Sequence, residues 1–291
     1  MNVLLSALQS SPVMLTGAVF LLSLMVGSFL NVVIHRLPVM MQKNWRKDCH
    51  DYLQLPGEAD SATFNLMLPA SHCPHCQTAI KPHHNIPVFS YLLLRGKCAY
   101  CAAPIALRYP LVEAFTAVCS AWVAWHFGYG WPMVFGVLLT WCLIVLSAID
   151  IDHQLLPDSI TLPLLWLGLF LSLFDIYTDS HASIIGAIAG YLSLWTVYKL
   201  FKWLTGKDGM GYGDFKLLAL FGAWLGWQYL PMIVVLSSLV GAVTGIAMIV
   251  FRRHDVKTPI PFGPYLAAAG WLALLWGSEI NRYYLDLTGL W

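Results

Sequence analysis

Two groups of residues have the types and spacing to do chemistry. The first is a run of cysteines, Cys73-Pro-His-Cys76 and, 21 residues later, Cys98-Ala-Tyr-Cys101. Two thiolates separated by two residues form a knuckle, and two knuckles complete the tetrahedral sphere of one Zn²⁺. Four cysteine ligands leave no open position for a substrate, so the expected site is structural rather than catalytic zinc. Of the other cysteines, Cys119 and Cys142 fall in apolar runs and read as packing residues, and Cys49 is isolated.

The second group is acidic. Asp150 closes the apolar run that ends Ser147-Ala148-Ile149, and Asp214 follows Gly211-Tyr212-Gly213. Two carboxylates a few ångströms apart cannot both ionise easily, so they share a proton and titrate as a unit. The ionised member can take a proton from water while the protonated member donates to a scissile carbonyl, which is aspartic-protease chemistry. Glycines at 211 and 213 remove side chains, so a substrate strand could lie beside Asp214. Asp152 and Asp158 read as cap or structural residues, either of them a solvated loop acid and Asp158 also placed as a helix N-cap. The same pair also fits a proton relay in a transporter, because carboxylates in spanning segments mark transport paths.

Other chemistries find no support. The glycine run has neither the strand nor the phosphate context of a dinucleotide site, and it is not a P-loop. There is no H-E-x-x-H and no G-x-S-x-G, and Ser28 has no base beside it in sequence.

The elements that must position these groups are set by composition. Among 291 residues, 58% are hydrophobic and 11% charged, against about 25% charged in soluble domains. Mean hydropathy is +0.67. A soluble enzyme, a disordered chain and a secreted disulfide scaffold are excluded, and an all-α polytopic protein of the lipid bilayer is expected. A net charge of +1 gives no nucleic-acid footprint.

Eight apolar runs could span: 13–34, 111–127, 132–149, 160–174, 184–201, 217–230, 232–251 and 262–276. With eight spans, 15 of the 16 Lys and Arg residues fall in connections of one parity or, for Lys199, at the adjoining end of a run, and only Arg282 on the other side. Positive charge marks the cytoplasmic side, so both termini point outward and Asp150 and Asp214 share the cytoplasmic boundary. Residues 38–108 are polar and carry the four cysteines. The expected organisation is a first transmembrane helix (1–37), a zinc-binding cytoplasmic subdomain (38–108) and a seven-helix membrane domain with the aspartates (109–291). No internal repeat stands out.

Several motifs now combine. Gly211-Tyr212-Gly213-Asp214 matches the GxGD signature of aspartyl proteases that work in membranes. Gly27-Ser28-Phe29-Leu30-Asn31-Val32 with His35-Arg36-Leu37-Pro38, the two cysteine pairs, Arg108-Tyr109-Pro110-Leu111-Val112-Glu113, Asp150 with Leu156-Pro157-Asp158, and Pro259-Ile260-Pro261-Phe262-Gly263-Pro264 lie in order along nearly the whole chain. Together they resemble the bacterial type IV prepilin peptidases. The resemblance implies removal of the basic leader from prepilins and type II secretion pseudopilins, after a glycine, at the cytoplasmic face of the inner membrane. It implies that Asp150 and Asp214 are the catalytic pair. It also implies methylation of the new N-terminus with S-adenosylmethionine, associated with the cysteine-bearing region, where Gly96-Lys97 matches the family pattern. The alternative of another class is a proton-coupled transporter with a zinc-binding regulatory domain.

Overall fold

A computed structural model describes residues 6, 8–55, 64–252 and 261–288. Pro259, Ile260, Arg253 and Lys257 lie outside the described residues. The chain divides into two compact units, Met1–Met133 and Val134–Trp291.

The first unit is built on helix α1 (Pro12–Tyr52). Pro12 stands at its first turn, and the Ser11 hydroxyl caps it by accepting the Met14 N–H at 3.3 Å. The helix does not stop where its apolar run ends. It passes through Pro38 and continues over Lys43, Arg46 and Lys47 for 41 residues in all, roughly 60 Å at the helical rise. That is about twice the thickness of a bilayer core, so the change from apolar to basic residues near Arg36 marks a polarity boundary within one helix.

The segment that follows contains a 3₁₀ turn (Pro82–Asn85) and the short helix α2 (Phe89–Leu93). Helix α3 (Arg108–Phe127) then packs against α1. The Asn31 side-chain amide donates to the Tyr109 carbonyl at 3.1 Å, and Gly27 lets the helices close: a Cβ there would lie 2.8 Å from Glu113 Cα.

Helix α4 (Trp131–His153) lies almost wholly in the second unit. It is followed by α5 (Asp158–Leu171), α6 (Ser180–Thr205), α7 (Tyr212–Leu225), α8 (Leu230–Arg252) and α9 (Gly263–Thr288). The core of this unit is α7. Phe215, Leu217, Leu218, Leu220 and Phe221 are fully buried, and α5, α6 and α9 pack around them. The α6 contact is close enough that a Cβ on Gly222 would strike the Gly186 carbonyl. Small residues that let backbones approach are the usual means of packing helices in lipid.

Each of the eight apolar runs overlaps one of these helices, two of them only 14 residues long, with altered limits. The run 217–230 is cut at Gly226, where φ is +90°, so α7 starts earlier and ends at Leu225. The last helix runs on to Thr288, with Trp276 out of helical geometry. Among the described residues, four stretches are long and apolar enough to cross a membrane: Pro12–Tyr52, Trp131–His153, Ser180–Thr205 and Trp227–Met248. Asp158–Phe174 is apolar but shorter. The chain is a multi-pass, all-helical membrane protein.

Candidate active site

Asp150 stands one turn before the end of α4, and Asp214 is the third residue of α7. They are 6% and 7% exposed, and the Asp214 carboxylate feels the charge of Asp150. Asp214 occupies the first turn of its helix, where the aligned peptide dipoles favour negative charge. Asp150 Oδ2 accepts the backbone N–H of Gly263 at 3.0 Å, a buried bond from the first residue of α9. Three helices therefore meet at the pair.

Leu156, in the connection between α4 and α5, is packed between Gly213 at the start of α7 and Gly263 at the start of α9. A Cβ on Gly213 would lie 2.7 Å from Leu156 Cβ, and one on Gly263 would lie 3.2 Å from Leu156 Cδ2 and 2.6 Å from Asp150 Oδ2. Both glycines are required by close packing. Gly211 differs: a Cβ there would meet nothing nearer than Asp214 Oδ2 at 3.8 Å. The space beside Asp214 at Gly211 is open, and this is where an extended chain could approach. The motif around Gly263 came only from resemblance; its role as the amide partner of Asp150 was not visible in the sequence.

Asp158 is not an N-cap. Pro157 takes that position, and the Asp158 carboxylate in the first turn of α5 receives Lys216 Nζ at 2.7 Å on each oxygen. The charge two residues beyond Asp214 is thus satisfied by Asp158. The glycine-rich loop before α7 is pinned from α6. Asp208 Oδ1 accepts from Lys202 Nζ and from the Tyr198 hydroxyl, both at 2.6 Å. The Lys202 ammonium, with the Tyr198 hydroxyl, holds the Asp208 carboxyl below the usual carboxylate range. The Tyr198 ring packs against Tyr212 and Phe215 with centroids 5.5 and 5.6 Å away.

In the first unit the four cysteines converge. The Sγ atoms of Cys73, Cys76, Cys98 and Cys101 lie within 4.8 Å of one another, and Cys73 and Cys101 are 3.8 Å apart. A tetrahedron of sulfurs at zinc–thiolate bond length has edges of about 3.8 Å, so the donor set fits Zn²⁺. The two knuckles are copies. Gln77 N–H reaches Cys73 O at 2.9 Å and Ala102 N–H reaches Cys98 O at 3.0 Å, with Gln77 and Ala102 both left-handed. Ile80 N–H bonds Ser71 O, and Ile105 N–H bonds Gly96 O, each at 2.8 Å. A short repeat is therefore present where none stood out in the sequence. Hydrogen bonds from Thr78 pull the Cys76 thiol down to about 6, toward the thiolate a metal needs.

Gly96 has φ +69°, and a Cβ on it would lie 2.8 Å from the Tyr91 hydroxyl. Lys97 is exposed, and its backbone bridges to Pro104.

Family models match both parts of the chain. The one described as "Bacterial Peptidase A24 N-terminal domain" covers residues 21–127, and "Type IV leader peptidase family" covers residues 137–246. A protein of Pseudomonas aeruginosa named "Prepilin leader peptidase/N-methyltransferase" is 56% identical over 98% of this chain and 99% of its own length. Proteins of the same name from Stutzerimonas stutzeri and Aeromonas hydrophila are 55% and 54% identical, over 97% and 98% of this chain and 98% and 99% of theirs. No solved structure matches.

Proposed function

Because this chain belongs to the type IV leader peptidase family, we propose that Asp150 and Asp214 are the pair with which it cuts prepilins. Its activity is that of a prepilin leader peptidase and N-methyltransferase. The observation that supports the aspartate assignment is their meeting, buried, at the junction of α4, α7 and the start of α9. The transporter alternative gives way to the family.

The chemistry follows from a carboxylate pair holding one proton. The ionised member takes a proton from water as the water attacks the scissile carbonyl. The protonated member donates to the carbonyl oxygen, and collapse of the tetrahedral species then breaks the C–N bond with a proton delivered to the leaving amine. Gly263 fixes the Asp150 carboxylate in place, and the open side at Gly211 admits the substrate backbone. Substrates of this kind, prepilins and pseudopilins, join a basic leader to an apolar helix. The cut falls after a glycine, between the part held in water and the part held in lipid.

Eight crossings of the inner membrane, with the termini in the periplasm, place the basic connections and both aspartates on the cytoplasmic side. Cys73, Cys76, Cys98 and Cys101 would hold one Zn²⁺ as a structural staple for the 38–108 segment, which has little apolar core of its own. The second activity needs S-adenosylmethionine, which supplies a methyl group activated by a sulfonium: the N–C bond forms as the C–S bond breaks. Gly96 and Lys97 belong to that region, with Gly96 acting by setting the position of Tyr91.

The test is cleavage of a prepilin in detergent by the protein with Asp150→Asn or Asp214→Asn. Loss of cleavage with zinc content retained supports the assignment, and cleavage by either variant ends it.

A further inference from the structure

We propose that a cavity inside the first unit binds the methyl donor, with the Glu113 carboxylate meeting the positive charge of S-adenosylmethionine. This rests on the methyl-transfer activity above. The cavity measures about 480 Å³ and is enclosed by α1, α3 and the segment between them. Pockets for small ligands run from about 300 to 1,000 Å³, mostly apolar with a few placed polar groups, and this one fits that description.

Motifs that the aspartate chemistry leaves unused converge here. Ser28 and Asn31 come from α1, Tyr109 and Glu113 from α3, and Cys73 and Cys98 from the two knuckles. Ser28, which has no base near it in sequence, lines the same cavity as Glu113. Glu113 Oε2 also accepts the Val88 N–H at 2.8 Å, which ties the inserted segment to α3. Glu113 is only 8% exposed, and among the described residues no cation pairs with it. A buried carboxylate without a cation is costly. A ligand that brings a sulfonium and an ammonium into the cavity offsets that cost.

The walls suit the rest of such a ligand. Tyr91 and Tyr109 line the cavity and offer aromatic faces to a flat base or to a cation, whereas the Phe64 ring already carries Lys43 at 4.6 Å and Arg36 at 5.7 Å. The Arg36 guanidinium is turned to structure instead, donating to Asn65 O at 2.9 Å and Pro69 O at 2.6 Å. Gly96 and Lys97 do not line the cavity, but Tyr91 does, and any side chain at 96 would push against its hydroxyl. Gly96 is a positioning residue for this wall. The zinc knuckles form another wall, so the staple shapes the donor site without touching the chemistry.

The test uses the purified full chain in detergent and S-adenosyl-L-[methyl-³H]methionine, read first by equilibrium binding. Glu113→Gln is expected to weaken binding by about tenfold or more, the scale of a charge-assisted contact. Ala106→Trp, at an exposed position on the cavity wall, is expected to block it. Gly96→Ala is expected to weaken it through Tyr91. Wild-type affinity in both Glu113→Gln and Ala106→Trp overturns the proposal. Ultraviolet crosslinking of the same ligand to the unaltered protein gives a readout independent of any variant. Label on peptides within residues 28–36 or 64–113 supports the cavity. A protein that methylates processed substrate but carries label only within 134–291 overturns the cavity alone. A protein that neither binds the donor nor methylates overturns the underlying activity as well.

Discussion

The backbone N–H of Gly263 donates to Asp150 Oδ2 at 3.0 Å across 113 residues of chain. This bond fixes one carboxylate of the pair, and it requires glycine: a Cβ at 263 would lie 2.6 Å from the same oxygen. Gly263→Ala must therefore move the carboxylate or the start of α9. A displacement near 1 Å at a reacting group costs about 10²-fold in rate. Leader cleavage by this variant is expected to fall by about that factor, while zinc content and methylation of a pre-cleaved pilin are retained. Single-turnover cleavage and mass spectrometry of the pilin N-terminus read the two activities separately.

The two glycines before Asp214 are expected to behave differently. Gly213 is packed against Leu156, whereas Gly211 faces open space beside Asp214. Gly213→Ala should lower the thermal midpoint of the unloaded protein, because overpacking costs about 1–3 kcal/mol. Gly211→Ala should leave that midpoint unchanged and raise KM for prepilin. Equal loss of stability in both variants would remove the substrate approach from the Gly211 side.

Acid should release the loop that carries these glycines. The Asp208 carboxyl is depressed, chiefly by Lys202, so its contribution to stability is present above its unfolded value and lost as pH falls through its folded value. The difference in thermal midpoint between wild type and Asp208→Asn is thus expected to be constant from pH 7 down to about 4, the ordinary carboxylate value, and to close below it. A difference that instead grows on acidification contradicts the pairing.

Removing zinc should separate the two activities. Cys73→Ser or Cys98→Ser is expected to abolish stoichiometric zinc, seen by metal analysis, and to impair methylation far more than leader cleavage. Full zinc occupancy in both variants would contradict the four-sulfur site.

What could be read in advance divides along physical lines. The four-cysteine cluster was legible because its spacing is local: two residues between thiols dictate a knuckle, and Cys73, Cys76, Cys98 and Cys101 come together. Asp150 and Asp214 were legible as residue types at matched depth, but their meeting depends on Leu156 and Gly263, which no local pattern connects to them. Asp158 has the structural role and not the cap, because Pro157 already holds the cap position and Lys216, 58 residues on, takes the carboxylate. The continuation of α1 past Pro38 was hidden because polarity reports where lipid ends, and the residues beyond, Met, Gln, Lys and Arg among them, are good helix formers. The cavity beside Glu113 was illegible for the same reason as the aspartate junction: its walls are drawn from α1, α3 and the insert.

The most direct measurement is prepilin cleavage, with substrate and enzyme purified in detergent, by wild type, Asp150→Asn and Asp214→Asn. The expected result is processed pilin with the wild type alone, both variants retaining zinc and S-adenosylmethionine binding. Processing by either variant at a rate near wild type would contradict the assignment of the chemistry to this pair.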